Sequence, residues 1–209
     1  MQQRKIGNSG LLASAVGLGG NNMGGRLNAA ETRAVVHKAL DMGVTFFDSA
    51  DTYGRRGGGT TGSAELVLGE ALGTRRKDIV LSTKFGHAMD DEGRLKGASR
   101  RYIMTAVEDS LRRLKTDWID LYQLHAADPL TPIEETMRAL DDLIRQGKVR
   151  YIGCSNFYEW EIADAQWTAE SKGLTKFVSS QDMYNLLYRD IEKRMEPYCV
   201  KHGIGMIPY

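Results

Sequence analysis

The sequence predicts an α/β protein built on a parallel sheet and preceded by a β-hairpin. Three observations carry this. Short apolar runs alternate with amphipathic stretches. Glycine closes most of those stretches, at Gly43, Gly73, Gly147, Gly173 and Gly203. Successive apolar runs also end in polar or aromatic groups, where parallel α/β folds place their functional residues.

The hairpin comes first. Gln2 to Ile6 and Leu12 to Val16 flank the turn Gly7-Asn8-Ser9-Gly10. A Gly-rich stretch follows from Gly17 to Gly25, and it reads as a loop. It is no dinucleotide fingerprint, because Asn22 stands where the third glycine is needed. Asn28-Ala29-Ala30-Glu31 has capping-box form and opens a helix. A strand is expected over residues 44–48, then a helix capped by Ser63, then a strand over 78–83. Ser99 opens a helix whose Ile103, Val107, Leu111 and Leu114 make one apolar face. Residues 118–124 read as a strand. Thr131-Pro132-Ile133-Glu134 combines a capping Thr, Pro at the first helical position and a reciprocal Glu. A strand over 150–154, a helix over 158–172 and a strand over 177–181 come next, then a helix over 189–202 and a last strand over 204–209. That makes six strands after the hairpin. An open doubly wound sheet and a closed barrel both fit this pattern. A last strand with no helix to cover it means either an open six-stranded sheet or a piece of a longer chain.

Composition narrows the function classes. Of 209 residues, 42% are apolar and 26% charged, with 28 basic against 27 acidic and a net charge of +1. The length favours a single domain over residues 1–209. No basic excess suggests nucleic acid. No apolar run approaches the ~20 residues of a membrane span, and the N-terminus lacks the apolar stretch of a signal peptide. Two cysteines, Cys154 and Cys199, are too few for a disulfide framework or a four-thiolate metal site. A reduced, cytoplasmic setting and no metal are the expectations.

The polar strand ends then suggest chemistry. They are Asp48 with nearby Tyr53, then Lys84, His125, Ser155-Asn156, Gln181 and Tyr209. A carboxylate at the end of a core strand asks for a cationic partner, and Lys84 can supply it. A free phenol has a pKa near ~10, and a nearby ammonium favours its anion, so Tyr53 beside Lys84 becomes a candidate proton donor. His125 can orient a carbonyl oxygen. Ser155, Asn156 and Gln181 suit an amide-bearing ligand, and Tyr209 offers a flat face for a ring.

These residues carry a resemblance to a known family. Phe47-Asp48-Ser49-Ala50-Asp51-Thr52-Tyr53-Gly54, Ser82-Thr83-Lys84, the run from Ser110 to His125, Gly153-Cys154-Ser155-Asn156-Phe157, and Gln181 with Tyr184-Asn185 are similar to the aldo-keto reductases. In detail the sequence looks like the bacterial branch that also holds the potassium-channel β-subunits. The resemblance implies a (β/α)8 barrel, of which about six βα units are present and the chain stops after barrel strand six. It implies NADPH-dependent reduction of an aldehyde or ketone, with Asp48, Tyr53, Lys84 and His125 as the catalytic set and Tyr53 as proton donor. Ser155, Asn156 and Gln181 would hold the nicotinamide carboxamide, Tyr209 would stack on its ring, and Gly20 and Asn21 would reach the cofactor. Family segments for two more strands, the adenosine half and the phosphates have no counterpart here. The kinship also implies a second function, an NADPH-binding redox-sensing subunit with little turnover.

Plainer roles stand beside these. Ser155-Asn156 can cap the next helix, and a lone His125 can be a core histidine. The loop from Gly54 to Gly62 lacks the ending of a phosphate-binding loop and reads as a mobile loop beside the site. Cys154 reads as inert packing. Arg112-Arg113 and Arg75-Arg76-Lys77 read as solvated helix-end charge.

Overall fold

A computed structural model describes residues 1–209. β1 (Gln3–Lys5) and β2 (Leu12–Ser14) form the expected antiparallel hairpin. Ile6, Leu11 and Ala13 of the hairpin pack with Phe46, Val80 and Leu121, at the first turns of three sheet strands. The hairpin thereby closes one end of the sheet that follows.

That sheet has seven parallel strands, one more than the sequence suggests. The added strand is β3 (Gly17–Gly19), which pairs Gly17 with Phe46 and Gly19 with Asp48. It reads as a loop because it is short and glycine-rich, and Gly17 is needed for packing. A Cβ on Gly17 would stand 2.5 Å from the Phe46 ring. The remaining elements are α1 (Ala29–Asp41), β4 (Phe46–Asp48), α2 (Ser63–Leu72), β5 (Val80–Phe85), α3 (Arg100–Leu114), β6 (Ile119–Leu124), α4 (Ile133–Arg145), β7 (Val149–Ser155), α5 (Glu159–Lys172), β8 (Ser179–Asp182), α6 (Met195–His202) and β9 (Gly205–Pro208). Each strand from β3 to β9 pairs with its neighbours in sequence, so the sheet curls in the sense of a (β/α)8 barrel with six βα units and a seventh strand. β3 and β9 are its two edges.

Strand side chains alternate between two environments. Phe47, Leu81, Tyr122, Leu124, Ile152 and Cys154 pack against the helices, where Val36, Leu68, Ile103, Met137, Leu140 and Ile162 are fully buried. Burying a side chain of this size stabilises the fold by about 1.5–3 kcal/mol. The opposite set faces the barrel interior, with Phe46, Val80 and Leu121 near the hairpin and Asp48, Ser82, Lys84 and Gln123 further along. No helix is long and apolar enough to cross a membrane.

Local signals hold at α1 and α3. Asn28 accepts from the Ala30 and Glu31 amides while Glu31 accepts from its own, and Ser99 accepts from Tyr102 N. They fail elsewhere. Ser63 is the first residue of α2, not its cap, and its hydroxyl donates to Gly24 O at 2.7 Å. Thr131 donates to Asp128 and leaves Pro132 as the cap residue of α4. The stretch expected as one helix over 189–202 is a short 3-10 turn, Asp190–Lys193, and then α6. Two arginines expected in solvent are structural. Arg76 is buried, bonded to Asp120 at 2.9 Å and stacked on Trp118. Arg113 reaches the fully buried Glu65 at 2.7 Å.

Candidate active site

β4 ends at Asp48, and the chain turns through Ser49 to Tyr53. Backbone bonds tie that turn to β5: Ser49 N donates to Ser82 O and Asp51 N to Lys84 O, both at 2.9 Å. Lys84 lies inside β5 rather than after it, because the strand runs on to Phe85. Its side chain is wholly buried. The ammonium has three N–H donors, and three oxygens receive them: Asp48 Oδ2 at 2.5 Å, Ser49 O at 2.9 Å and Tyr53 OH at 3.4 Å. Since Nζ donates to the Tyr53 oxygen, the phenolic hydrogen is free to point elsewhere. The second Asp48 oxygen accepts from Ser82 Oγ at 2.8 Å and Gln123 Nε2 at 3.4 Å.

His125 follows β6, its backbone N–H bonded to Phe85 O. Its ring meets Tyr53 edge-on at 5.8 Å and lies 4.2 Å from the exposed His87 ring. Burial, aided by the Lys84 cation and by His87, pushes its pKa down to about 2. His125 is therefore neutral near neutral pH, with one ring N–H to donate. Its Nδ1 is buried and has no partner in the chain.

The remaining predicted residues gather on β7, β8 and β9. Ser155 Oγ donates to Gln181 O at 2.8 Å, which ties the ends of β7 and β8. Asn156 takes a left-handed backbone, φ 56°, and caps no helix; Glu161 serves the start of α5 through Tyr158 N. The Asn156 amide donates to His125 O at 3.0 Å and to Ser155 Oγ at 2.9 Å. Its oxygen accepts from Tyr209 OH at 2.5 Å. Asn156 thus joins the two halves of the site. Gln181 is 4% exposed. Asp48, Gln181 and Tyr209 contribute to the wall of a cavity of about 490 Å³ between the edges β3 and β9; Tyr53, Lys84 and His125 lie outside that wall. Gly20 is buried and donates to Asp48 O at 2.7 Å, whereas the neighbouring Asn21 is exposed.

All four residues expected to carry catalysis therefore meet, as do the four expected at an amide-bearing ring. Sequence reasoning missed Ser82, Gln123, His87 and the Ser49 carbonyl. The period of two along β5 and β6 is the signal for Ser82 and Gln123: counted from Lys84, every second residue shares its face. A carbonyl leaves no such trace.

Three relatives place this geometry. The chain is 38% identical to the aldo-keto reductase dtxS3 of Metarhizium robertsii, with 98% of this chain and 62% of that protein covered. It is 34% identical to the putative aryl-alcohol dehydrogenase AAD16 of Saccharomyces cerevisiae, covering 100% of this chain and 67% of that one. It is 35% identical to the versiconal hemiacetal acetate reductase of Aspergillus parasiticus, covering 100% and 66%. The chain thus spans about 62% of the length of the first of these. All three are fungal and do not single out the bacterial branch that the resemblance suggested. The sequence pattern of the Aldo/keto reductase family matches residues 15–209, and with a matching barrel and these relatives, the chain belongs to that family.

Proposed function

We propose that residues 1–209 form a C-terminally incomplete barrel domain carrying the reacting end of a site that reduces a small aldehyde or ketone to an alcohol with NADPH, in a cytoplasmic setting. The single observation that carries this is the buried Lys84 ammonium, held between Asp48 and the Tyr53 hydroxyl. The names of the relatives, reductases and aryl-alcohol dehydrogenases, favour carbonyl compounds, aromatic ones included.

The residues fit the cofactor. Gln181 lies on β8, nearly buried, and shares a cavity wall with Asp48 and Tyr209. A nicotinamide carboxamide would bond the Gln181 amide, with Ser155 and Asn156 beside it. Tyr209 would give the ring its face. Gly20 lies where the backbone comes closest to Asp48; a Cβ there would stand 3.2 Å from Asp48 O. When bound, NADPH supplies the hydride.

The chain's own residues do the rest. The neutral His125 donates a hydrogen bond to the substrate carbonyl oxygen and orients it toward Tyr53. Tyr53 gives its phenolic proton to that oxygen as the alcohol forms. The Lys84 ammonium, already donating to the phenol oxygen, stabilises the negative charge left there. Asp48 keeps that ammonium from turning away. Burial of the group excludes water and strengthens each of these interactions.

The test is NADPH oxidation with an aromatic aldehyde, beside NADH as a second donor. Tyr53→Phe is expected to lower kcat by about 10²–10⁴-fold while cofactor binding persists. Wild-type turnover that survives Tyr53→Phe unchanged would sink the reading. Tight NADPH binding with negligible wild-type turnover would instead favour the redox-sensing subunit.

A further inference from the structure

A line of hydrogen bonds crosses the barrel interior one layer below Tyr53. Ser179 Oγ donates to Gln123 Oε1 at 3.4 Å. Gln123 Nε2 donates to Ser82 Oγ at 2.9 Å and to Asp48 Oδ1 at 3.4 Å, and Ser82 Oγ donates to Asp48 Oδ1 at 2.8 Å. Ser82, Gln123 and Ser179 are all fully buried. The line runs from β8 to β4 and passes β7 at Gly153, whose register partners are Gln123 and Ser179. A Cβ on Gly153 would stand 2.2 Å from Ser179 Oγ and 3.3 Å from Gln123 Oε1. The missing side chain makes the room that the Ser179–Gln123 bond occupies.

This arrangement has a direction. An amide can face either way, and its two ends differ chemically. The Asp48 carboxylate only accepts, so the N–H end of the amide faces it and the oxygen end is left to the Ser179 hydroxyl. That end suits a carboxylate; the other end would repel it. With two donors on Oδ1, Asp48 presents Oδ2 to Lys84, and Lys84 reaches Tyr53. Ser179 lies two residues before Gln181 on the same strand, so the line ties the ligand-facing strand to the proton-donating group.

We propose that Gln123, its oxygen end held by the Ser179 hydroxyl, is a positioning residue that fixes the Asp48 carboxylate and, through it, the Lys84 ammonium against Tyr53. The proposal rests on the reading of Tyr53 as proton donor. A residue that merely filled the barrel would alter stability and leave the pH behaviour of the site alone.

The experiment compares Gln123→Met, Gln123→Glu and Ser179→Ala in the full chain. Gln123→Met keeps the shape and removes the donor. It is expected to lower kcat about tenfold or more, the order for one lost buried hydrogen bond to a charge, with KM little changed. Gln123→Glu places a second carboxylate beside Asp48 and is expected to displace the pH profile of kcat by about one unit. Ser179→Ala removes the donor to the Gln123 oxygen and loosens that end of the amide; it should act in the same sense as Gln123→Met, more weakly, and carries the test if Gln123→Met fails to fold. A second readout needs no turnover: the tyrosinate absorbance that Tyr53→Phe removes should appear at higher pH in Gln123→Met than in wild type. Unchanged pH profiles and unchanged tyrosinate onset in folded variants overturn the proposal. Loss of the function reading itself shows differently, as wild-type turnover indifferent to Tyr53→Phe.

Discussion

Lys84 Nζ stands 2.5 Å from Asp48 Oδ2, and the lysine side chain has no exposed surface. A buried pair of this kind is costly to break from one side, because the remaining charge has neither water nor partner. Lys84→Met is expected to destabilise the fold by about 3–5 kcal/mol. Combining it with Asp48→Asn should return a large part of that loss, since Ser82 and Gln123 can still bond a neutral amide at residue 48. Urea unfolding of the two single variants and the double variant measures the coupling. Additive losses would mean that the pair is not energetically coupled.

His125 makes stability sensitive to acid. Its folded pKa is pushed down to about 2, first by burial and then by Lys84 and His87, while an unfolded histidine titrates near ~6.5. Between these values the unfolded chain binds the extra proton, so stability falls as pH falls. The loss begins below about pH 6.5 and can reach about 1.4 kcal/mol per pH unit for one such group. His125→Asn is expected to flatten this part of the curve and leave stability above it nearly unchanged. Thermal melts from neutral pH down to about pH 4 provide the check.

Much of this site was legible because strand ends concentrate function, and Asp48, Tyr53, Lys84 and His125 each stand out chemically from apolar neighbours. The four residues expected to carry catalysis needed only the βα pattern to be brought to one mouth. The misses share a different cause. Gly17 to Gly19 pair as a strand, yet Gly17 answers to the Phe46 ring, a neighbour 29 positions away in sequence. Arg76 and Arg113 looked solvated because their partners, Asp120 and Glu65, lie on other elements. Ser63 and Thr131 looked like caps because capping is a local rule; each hydroxyl instead found Gly24 O or Asp128. For Ser63 the competing acceptor is tertiary, 39 residues away, and for Thr131 it is a side chain three residues back that the capping rule does not count.

Asp51 acts in the opposite sense to His125. It is 1% exposed, and its Oδ1 has no partner. Nearby Glu65 already takes the one adjacent cation, Arg113. Burial first, and then the Glu65 charge, hold the Asp51 carboxyl well above the usual carboxylate range. An unfolded Asp titrates near ~3.9, so above that value the folded chain binds the extra proton and stability falls as pH rises. Asp51→Asn keeps the shape without the charge. It is expected to raise stability by about 1–3 kcal/mol at alkaline pH, or ~2–4 °C in Tm per kcal/mol, and to change little near pH ~3. A gain equal at both ends of the pH range would assign the effect to packing instead.

The loop after Tyr53 is held by glycines that face glycines. A Cβ on Gly59 would stand 1.9 Å from Gly24 O, and one on Gly57 2.6 Å from Arg26 N. Tyr53 enters this loop directly, and its carbonyl accepts from Ala64 N at the far end. The segment it packs on begins four residues after Gly20, whose amide donates to Asp48 O. Gly59→Ala must therefore push the two loops apart, and both Tyr53 and the 20–24 segment move with them. The expected result is at least a tenfold loss of kcat/KM, since misplacement by about 1 Å can cost ~10²-fold. Gly58→Ala is the control. Nothing lies within 4 Å of a Cβ there, but φ is 93°, so its cost is backbone strain of about 1–2 kcal/mol without a collision. It should lower Tm and leave kcat/KM within about threefold of wild type, a margin below 1 kcal/mol. Equal kinetic losses in the two variants would mean that loop strain, not the Gly24–Gly59 contact, places Tyr53.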